Sequence, residues 1–344
     1  MPYSRPGPSG RSVNRVALFR TLLVLGGVAA IAFLVAQIGP AEIWHAFRGL
    51  SWRLLLVLIF PTCLAVITDT LGWRFTFLRP PHGFGRLMGV RLAGEAVNLV
   101  TPTAAVGGDL LKAYLLRPGV ALREGLASVI ADKTTSVVSQ VLLLLVGLVV
   151  GLLLLPPSST LLPTMAVCLV LEAVCVTAFV MVQLRGLVGG GGRLLAKLRM
   201  PPSHEHQAVL DGTDSALRSL YFEHDRGLMV SVLWHFLGFA IGTLEIYLVV
   251  RFLGVPISLP EAFAIGAYGT AIKFFSFMVP ASLGALEGGN VAIFAAFDIG
   301  GAVALTYTLV RRLREVVWVG AGFLASSLIS WRLTVRSEGE TPAR

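Results

Sequence analysis

Residues 86–133 carry ten charged side chains among apolar neighbours: Arg86, Arg91, Glu95, Asp109, Lys112, Arg117, Arg123, Glu124, Asp132 and Lys133. A charge at membrane depth costs roughly 2.5–3.5 kcal/mol on the mildest insertion scales. A lipid-facing helix would not tolerate this set, whereas a wet cavity lined by interrupted helices would. Asn98, Pro102 and the pair Gly107-Gly108 fall inside the same stretch. Glycine pairs allow a sharp turn. A helix starting near Asp109 would then aim its free N–H groups into the cavity, where an anionic group such as a lipid phosphate would sit. Lys112 lies one turn further on the same face. The same residues also suit a purely structural use, with Asp109 as N-cap and Lys112 as its partner.

A second cluster lies near the C-terminus. Glu287 precedes Gly288-Gly289, and Arg311, Arg312, Arg314 and Glu315 follow within one apolar run. Arg311, Arg314 and Glu315 share a helix face by their spacing. Three arginines this close at membrane depth need acids or phosphate, and Glu95, Asp109, Asp132 and Glu287 are the available acids. These sixteen positions, Glu95, Asn98, Pro102, Gly107, Gly108, Asp109, Lys112, Asp132, Lys133, Glu287, Gly288, Gly289, Arg311, Arg312, Arg314 and Glu315, form the candidate substrate cavity. Asp69, Glu172, His235 and Glu245 are single polar residues inside apolar runs, and interhelical contact is their expected use over proton coupling. Lys273 is placed to pair with one of them.

The elements that must position these groups are membrane helices. The chain has 344 residues, 14% of them charged, and a mean hydropathy of +0.79. A soluble domain has about a quarter of its residues charged. Leu22 to Ala36 and Val141 to Leu155 carry no polar side chain, and with their flanks each reaches the roughly 20 residues that cross a bilayer. The expected fold is an all-α polytopic membrane protein. Six full transmembrane helices are read at about 17–37, 54–73, 127–155, 161–184, 228–250 and 303–330. Two further regions, 86–117 and 262–300, read as broken or re-entrant helical hairpins, giving eight spans if they count as crossings. The first span is retained and is not a cleaved signal, because Ala30-Ile31-Ala32 lies in mid-run.

With the N-terminus inside, the cytoplasmic segments hold 20 Lys and Arg and the outer segments three. That asymmetry puts both termini in the cytoplasm. It also explains the net charge of +9 without nucleic acid, for which no basic, aromatic-interleaved stripe exists. The expected organisation is a cytoplasmic tail over 1–15, one membrane domain over 16–332 and a cytoplasmic tail over 333–344. Within the domain, 54–184 and 228–331 form two repeat units. Between them the loop 185–226 carries Val209, Leu210, Ala216, Leu217, Leu220 and Tyr221 on one helix face, expected to lie on the inner membrane surface.

The repeat rests on parallel spacing. Pro102 leads to Gly107-Gly108-Asp109, and Pro280 leads to Glu287-Gly288-Gly289-Asn290. By the charge count the first unit enters from the cytoplasmic side and the second from outside, so the units are expected to be inverted. Inverted repeats with discontinuous helices mark transporters, with a substrate site near the midplane. No Walker A, HExxH, GxSxG or zinc-ligand spacing occurs, and Cys63, Cys168 and Cys175 sit in apolar runs as small packing residues. No enzyme activity, catalytic residue, metal or cofactor is expected.

Gly94-Glu95, Asn98 and Pro102, then Gly107-Gly108-Asp109 and Lys112, then Ala131-Asp132-Lys133-Thr134-Thr135 resemble the membrane region of lysylphosphatidylglycerol synthase and its stand-alone, flippase-like relatives. Leu283-Gly284-Ala285-Leu286-Glu287-Gly288-Gly289 and Arg311-Arg312-Leu313-Arg314-Glu315 are similar to the hopanoid-biosynthesis-associated (HpnL-type) branch. The resemblance spans about residues 15–335. It implies a bacterial inner-membrane protein that handles a lipid, phospholipid or hopanoid, either as a translocase or as an accessory to lipid-biosynthesis enzymes. It does not imply aminoacyl-lipid synthesis, because the soluble synthase domain has no counterpart here.

Overall fold

A computed structural model describes residues 52–81, 83–100, 106–117, 119–186, 204–276 and 285–339, with the isolated residues 41 and 190. The described residues form ten helices and no strands: α1 (Arg53–Arg74), α2 (Phe84–Val100), α3 (Val106–Leu116), α4 (Leu122–Leu154), α5 (Leu161–Leu184), α6 (His204–Glu223), α7 (Asp225–Phe252), α8 (Leu259–Phe275), α9 (Ala285–Ala296) and α10 (Gly301–Gly339). Five are long and apolar enough to cross a membrane: α1, α4, α5, α7 and residues Gly301–Ser330 of α10. The chain is therefore a multi-pass membrane protein. The expected span at 17–37 lies outside the described residues. Helix α4 starts at Leu122, five residues before the expected boundary, and takes in Arg123 and Glu124.

Each interrupted region is a pair of shorter helices followed by a long one. Helices α2 and α3 lead into α4, and α8 and α9 lead into α10. The gaps at 101–105 and 277–284, which contain Pro102 and Pro280, lie outside the described residues. The α7–α8 corner shows how local sequence sets such joints. Gly254 takes a positive φ of 81° after α7, a conformation that costs glycine nothing. Ser258 then caps α8 in a reciprocal box with Glu261, and Pro260 sits in the first turn.

Helix packing is reciprocal between the two groups. Helix α1 packs on α7. The long helix α4 packs on α8, and the long helix α10 packs on α2. The neighbour pairs α2–α3 and α8–α9, α3–α4 and α9–α10, α1–α10 and α7–α4 recur in the same way. Exchanging α1–α4 with α7–α10 leaves this pattern unchanged.

In a bilayer, apolar burial gives little drive for helix association, so small residues and interhelical hydrogen bonds supply it. A Cβ on Gly147 of α4 would collide with Ala267 of α8, and one on Gly322 of α10 would collide with the Leu92 carbonyl and with Ala96 of α2. Gln140 donates to the Thr270 carbonyl at 2.8 Å, and Tyr268 donates to the Gly147 carbonyl at 3.1 Å. Ser139 donates to the Val232 carbonyl at 2.8 Å, and Trp318 to the Leu58 carbonyl at 3.0 Å.

The apolar face of α6 does not lie on lipid. Leu217 and Leu220 are buried with Ala127, Ala131 and Leu228, and Ala216 and Tyr221 pack against that cluster. Tyr221 donates to Gln183 of α5 at 2.7 Å, and burial pushes its phenol up. The periodicity located the face correctly, but α4, α5 and α7 cover it.

Gly322→Leu is expected to separate α10 from α2 and to cost about 1–3 kcal/mol, the usual range for overpacking. Gly320, where an added Cβ would meet nothing within 4 Å, is the matched control. Thermal unfolding of both purified variants in detergent checks this: a lowered Tm for Gly322→Leu and an unchanged one for Gly320→Leu.

Candidate functional site

The first network is buried between four helices. Arg91 of α2 donates through Nη1 to both Asp132 oxygens on α4, at 3.1 and 3.2 Å, and lies 3.9 Å from Asp69 of α1. His235 of α7 sits between the two acids. Its Nδ1 is 2.9 Å from Asp69 Oδ1, and its Nε2 is 2.9 Å from Asp132 Oδ1. A ring carrying both N–H protons satisfies both contacts. Two carboxylates, one guanidinium and one imidazolium then cancel. Gly72 and Gly238 make room, since a Cβ on either would strike the His235 ring or Asp69. Asp132 was expected at the site. Asp69 and His235 were expected only as interhelical contacts, and Arg91 was one charge in a crowd. Only the fold could reveal that they meet, because they lie 22 to 166 positions apart.

The second network holds α2 to α3. Lys112 Nζ donates to Glu95 Oε1 at 2.6 Å and to Asp109 Oδ1 at 3.1 Å. Asn98 donates to Asp109 Oδ1 at 3.1 Å and accepts from the Gly108 N–H at 2.7 Å. This corrects the expected geometry. Helix α3 starts at Val106, so Gly107 and Gly108 are helical and make no sharp turn, and Asp109 sits in the first turn instead of capping it. The Gly108 N–H is not free for an anion, because Asn98 takes it. The need for glycine at 94 and 108 is close approach: a Cβ on Gly108 would strike the Gly94 carbonyl and Asn98, and one on Gly94 would strike Lys112. Pro102 lies outside the described residues.

The third network occupies the second unit. Arg312 donates to Glu287 of α9 at 2.8 Å through Nη2 and to Glu315 at 3.1 Å through Nη1. Arg311 lies 3.7 Å from Glu315, and Arg314 is paired with Glu245 of α7. Of the four acids expected for these arginines, only Glu287 meets one. Glu315 and Glu245 replace the others, being on the same helix or on the helix packed beside it. Helix α9 begins at Ala285, so Glu287, Gly288 and Gly289 are helical too. Gly289 faces Ile272 of α8, Gly288 faces open space, and Asn290 donates to Thr308 at 3.1 Å. Glu172 does not make the interhelical contact expected of it: it is fully buried, and neither oxygen has a hydrogen-bond partner among the described residues.

On α2 every residue from Arg86 to Val100 is buried or half-buried except Glu95, whose side chain is 51% exposed. On α4 the same holds from Gly125 to Val141 except at Lys133, and on α8 from Glu261 to Phe274 except at Lys273. Within each of these three stretches one position is exposed, and that position is charged. Gly147 against Ala267 and Gln140 on the Thr270 carbonyl run α4 antiparallel to α8, which carries Lys133 and Lys273 to the same end of that seam, and Glu95 interacts electrostatically with both lysines. Lys273 also senses Arg311, Arg314 and Glu315 of α10. It forms no ion pair with the acids Asp69, Glu172 or Glu245, contrary to expectation. The matched spacing Glu95 to Pro102 and Lys273 to Pro280, seven residues each, was the available signal that Lys273 belongs to the site.

The family profile described as the lysylphosphatidylglycerol synthase TM region matches residues 17–339. A UPF0104 membrane protein of Methanothermobacter thermautotrophicus is 23% identical over 304 residues, which cover 85% of this chain and 90% of that protein. No solved structure matches.

Removing one member of a buried charge network strands the others, at a typical cost of about 3–5 kcal/mol. Asp132→Ala, which leaves both Arg91 and His235 facing Asp69 alone, is expected to lower the Tm strongly. Arg91→Leu with Asp132→Leu removes one charge of each sign, keeps the Asp69–His235 pair balanced, and should recover part of the loss. Melting curves in detergent decide it, and a double variant no better than the single would contradict the charge-balance account.

Proposed function

The chain belongs to the family of the lysylphosphatidylglycerol synthase transmembrane region, and on that premise we propose that it is a lipid translocase. It passes the polar head of a membrane lipid, phospholipid or hopanoid-type, through a hollow between two interrupted helix pairs. The observation that carries the reading is that Glu95, Lys133 and Lys273 are the exposed, charged positions within otherwise covered stretches of α2, α4 and α8. Charges are kept accessible at that depth only where water or a polar ligand meets them.

The two units are read as an inverted repeat. The reciprocal packing of α1–α4 against α7–α10 supports this, as does the Lys and Arg asymmetry, from which we read both termini as cytoplasmic and the membrane as a bacterial inner membrane. Rocking one unit against the other would open the hollow to each leaflet in turn. No chemical step is assigned to the protein.

A non-catalytic accessory to lipid-biosynthesis enzymes is the second reading. It is favoured by the self-compensation of the Arg91–Asp132 and Arg312–Glu287 networks, which need no ligand.

Reconstitution into vesicles with headgroup-labelled lipids separates the two. Translocation predicts leaflet exchange that falls by about tenfold or more, a loss of roughly 1.4 kcal/mol of barrier stabilisation, in Glu95→Gln, measured per amount of folded protein because the change also removes the ion-pair partner of Lys112. No exchange by the wild type, with biosynthetic enzymes recovered on pull-down, would favour the accessory. Accessibility tags near residues 120 and 300 should label from opposite sides of the membrane, and labelling from one side would end the inverted repeat.

A further inference from the structure

Most basic groups at the core of the two units are spoken for. Arg91 is held by Asp132, Lys112 by Glu95 and Asp109, Arg312 by Glu287 and Glu315, Arg314 by Glu245 and Arg311 by Glu315. Lys133 and Lys273 differ. Neither side chain has a hydrogen bond or ion pair among the described residues, and each is the exposed position within an otherwise covered stretch, 125–141 of α4 and 261–274 of α8. Glu95 interacts electrostatically with both, its Oε1 taken by Lys112 and its Oε2 without a partner among the described residues. Glu95, Asp109 and Lys112 together leave a single negative charge. Two ammonium groups outweigh it, so the opening stays positive, and the charge of one phosphodiester would bring it to neutrality.

We propose that this opening is an anion site, in which Lys133 from the first unit and Lys273 from the second grip the phosphate of a lipid headgroup between them. The inference rests on the translocase reading and narrows it: the substrate is a phosphate-bearing lipid, and an uncharged hopanoid does not satisfy the site. The chemistry follows from the residue type. Ammonium groups are compact, strongly hydrated charges that bind phosphate without fixed geometry, which suits a headgroup in transit. One lysine comes from each unit, so the phosphate bridges the two bodies that move. Glu95 Oε2 remains as an acceptor for a headgroup hydroxyl or ammonium.

The same arrangement makes a second statement about stability. Two like charges facing one opening, neither in an ion pair, do not stabilise the unliganded protein. Neutralising them should leave the Tm unchanged or raise it, the reverse of what an ion-paired structural lysine would do.

The test uses the full-length protein in a neutral detergent. Phosphatidylglycerol and a diacylglycerol with the same acyl chains are the probes, with inorganic phosphate and glycerol phosphate as competitors. Phosphatidylglycerol is expected to bind at least about tenfold tighter than diacylglycerol, a difference of roughly 1.4 kcal/mol, and to weaken with salt. Lys133→Gln with Lys273→Gln should abolish the preference at equal or higher Tm, while Lys133→Arg with Lys273→Arg should keep it. If the double Gln variant does not fold, each single Gln variant should lose part of the preference. Competition by inorganic phosphate as strong as by the lipid would assign the site to a soluble phosphate and overturn the lipid assignment. Equal binding of the two lipids, or a preference untouched in the Gln variants, would overturn the proposal. Phosphate-selective binding without leaflet exchange would uphold the site and end the translocase reading. Exchange of neutral lipids with no phosphate preference would do the opposite.

Discussion

Ionised groups in a bilayer must meet opposite charge or water, and the architecture of this chain follows from that requirement. A carboxylate or guanidinium facing acyl chains is costly enough that one such group can decide how a helix sits. Here acids and bases from seven helices, α1–α4 together with α7, α9 and the long α10, are turned inward and matched. The matching couples helices that are remote in sequence. His235 alone joins α1 to α4 through α7, and Arg312 joins α9 to α10. Because apolar surface is as well solvated by lipid as by protein, such polar contacts carry more of the specificity than they would in a soluble core.

The glycines complete the same logic. Ion pairs as short as those at Lys112 need backbones that nearly touch, and Gly94 against Gly108 provides that approach between α2 and α3. Gly147 against Ala267 and Gly322 against Ala96 bring each unit's long helix onto the other unit's first short one. The exchange ties the two units into one body while leaving the short helices as the parts least bound by their own continuity.

Much of this was legible in the sequence. Apolar run length located α5 to the residue and α1 and α7 within three, because spanning a bilayer fixes length more tightly than packing in water does. That regions 86–117 and 262–300 each hold two helices was also readable, although Pro102 and Pro280 themselves lie outside the described residues. What could not be read was which way an intact helix turns its polar residues. Gly107-Gly108 looked like a hinge and is instead helical, with Gly108 a contact surface, since glycine serves both uses and only the neighbouring Gly94 distinguishes them. The face of α6 was correct and its covering was not, because periodicity reports amphipathicity without naming the partner. Partners for Arg314 and His235 were missed for a related reason: charge pairing across helices depends on packing angles that one sequence does not encode locally.

The residues that remain unmatched are therefore the informative ones. A fold that neutralises Arg91, Lys112, Arg311, Arg312 and Arg314 has the means to neutralise any base it contains, with acids drawn from its own or neighbouring helices. Against that background Lys133 and Lys273 stand without an ion-paired acid among the described residues, on helices where every adjoining position is covered. Packing does not explain them, because an apolar residue at either place would cost less. Glu172, buried with both oxygens unpartnered among the described residues, shows that the fold also tolerates an isolated acid, but a carboxyl can shed its charge by taking a proton. Two ammonium groups sharing an opening have water or an anion as their recourse, and each belongs to a different half of the molecule. A ligand that satisfied both would bind most tightly when the halves are closest, which makes its charge a lever on their relative position.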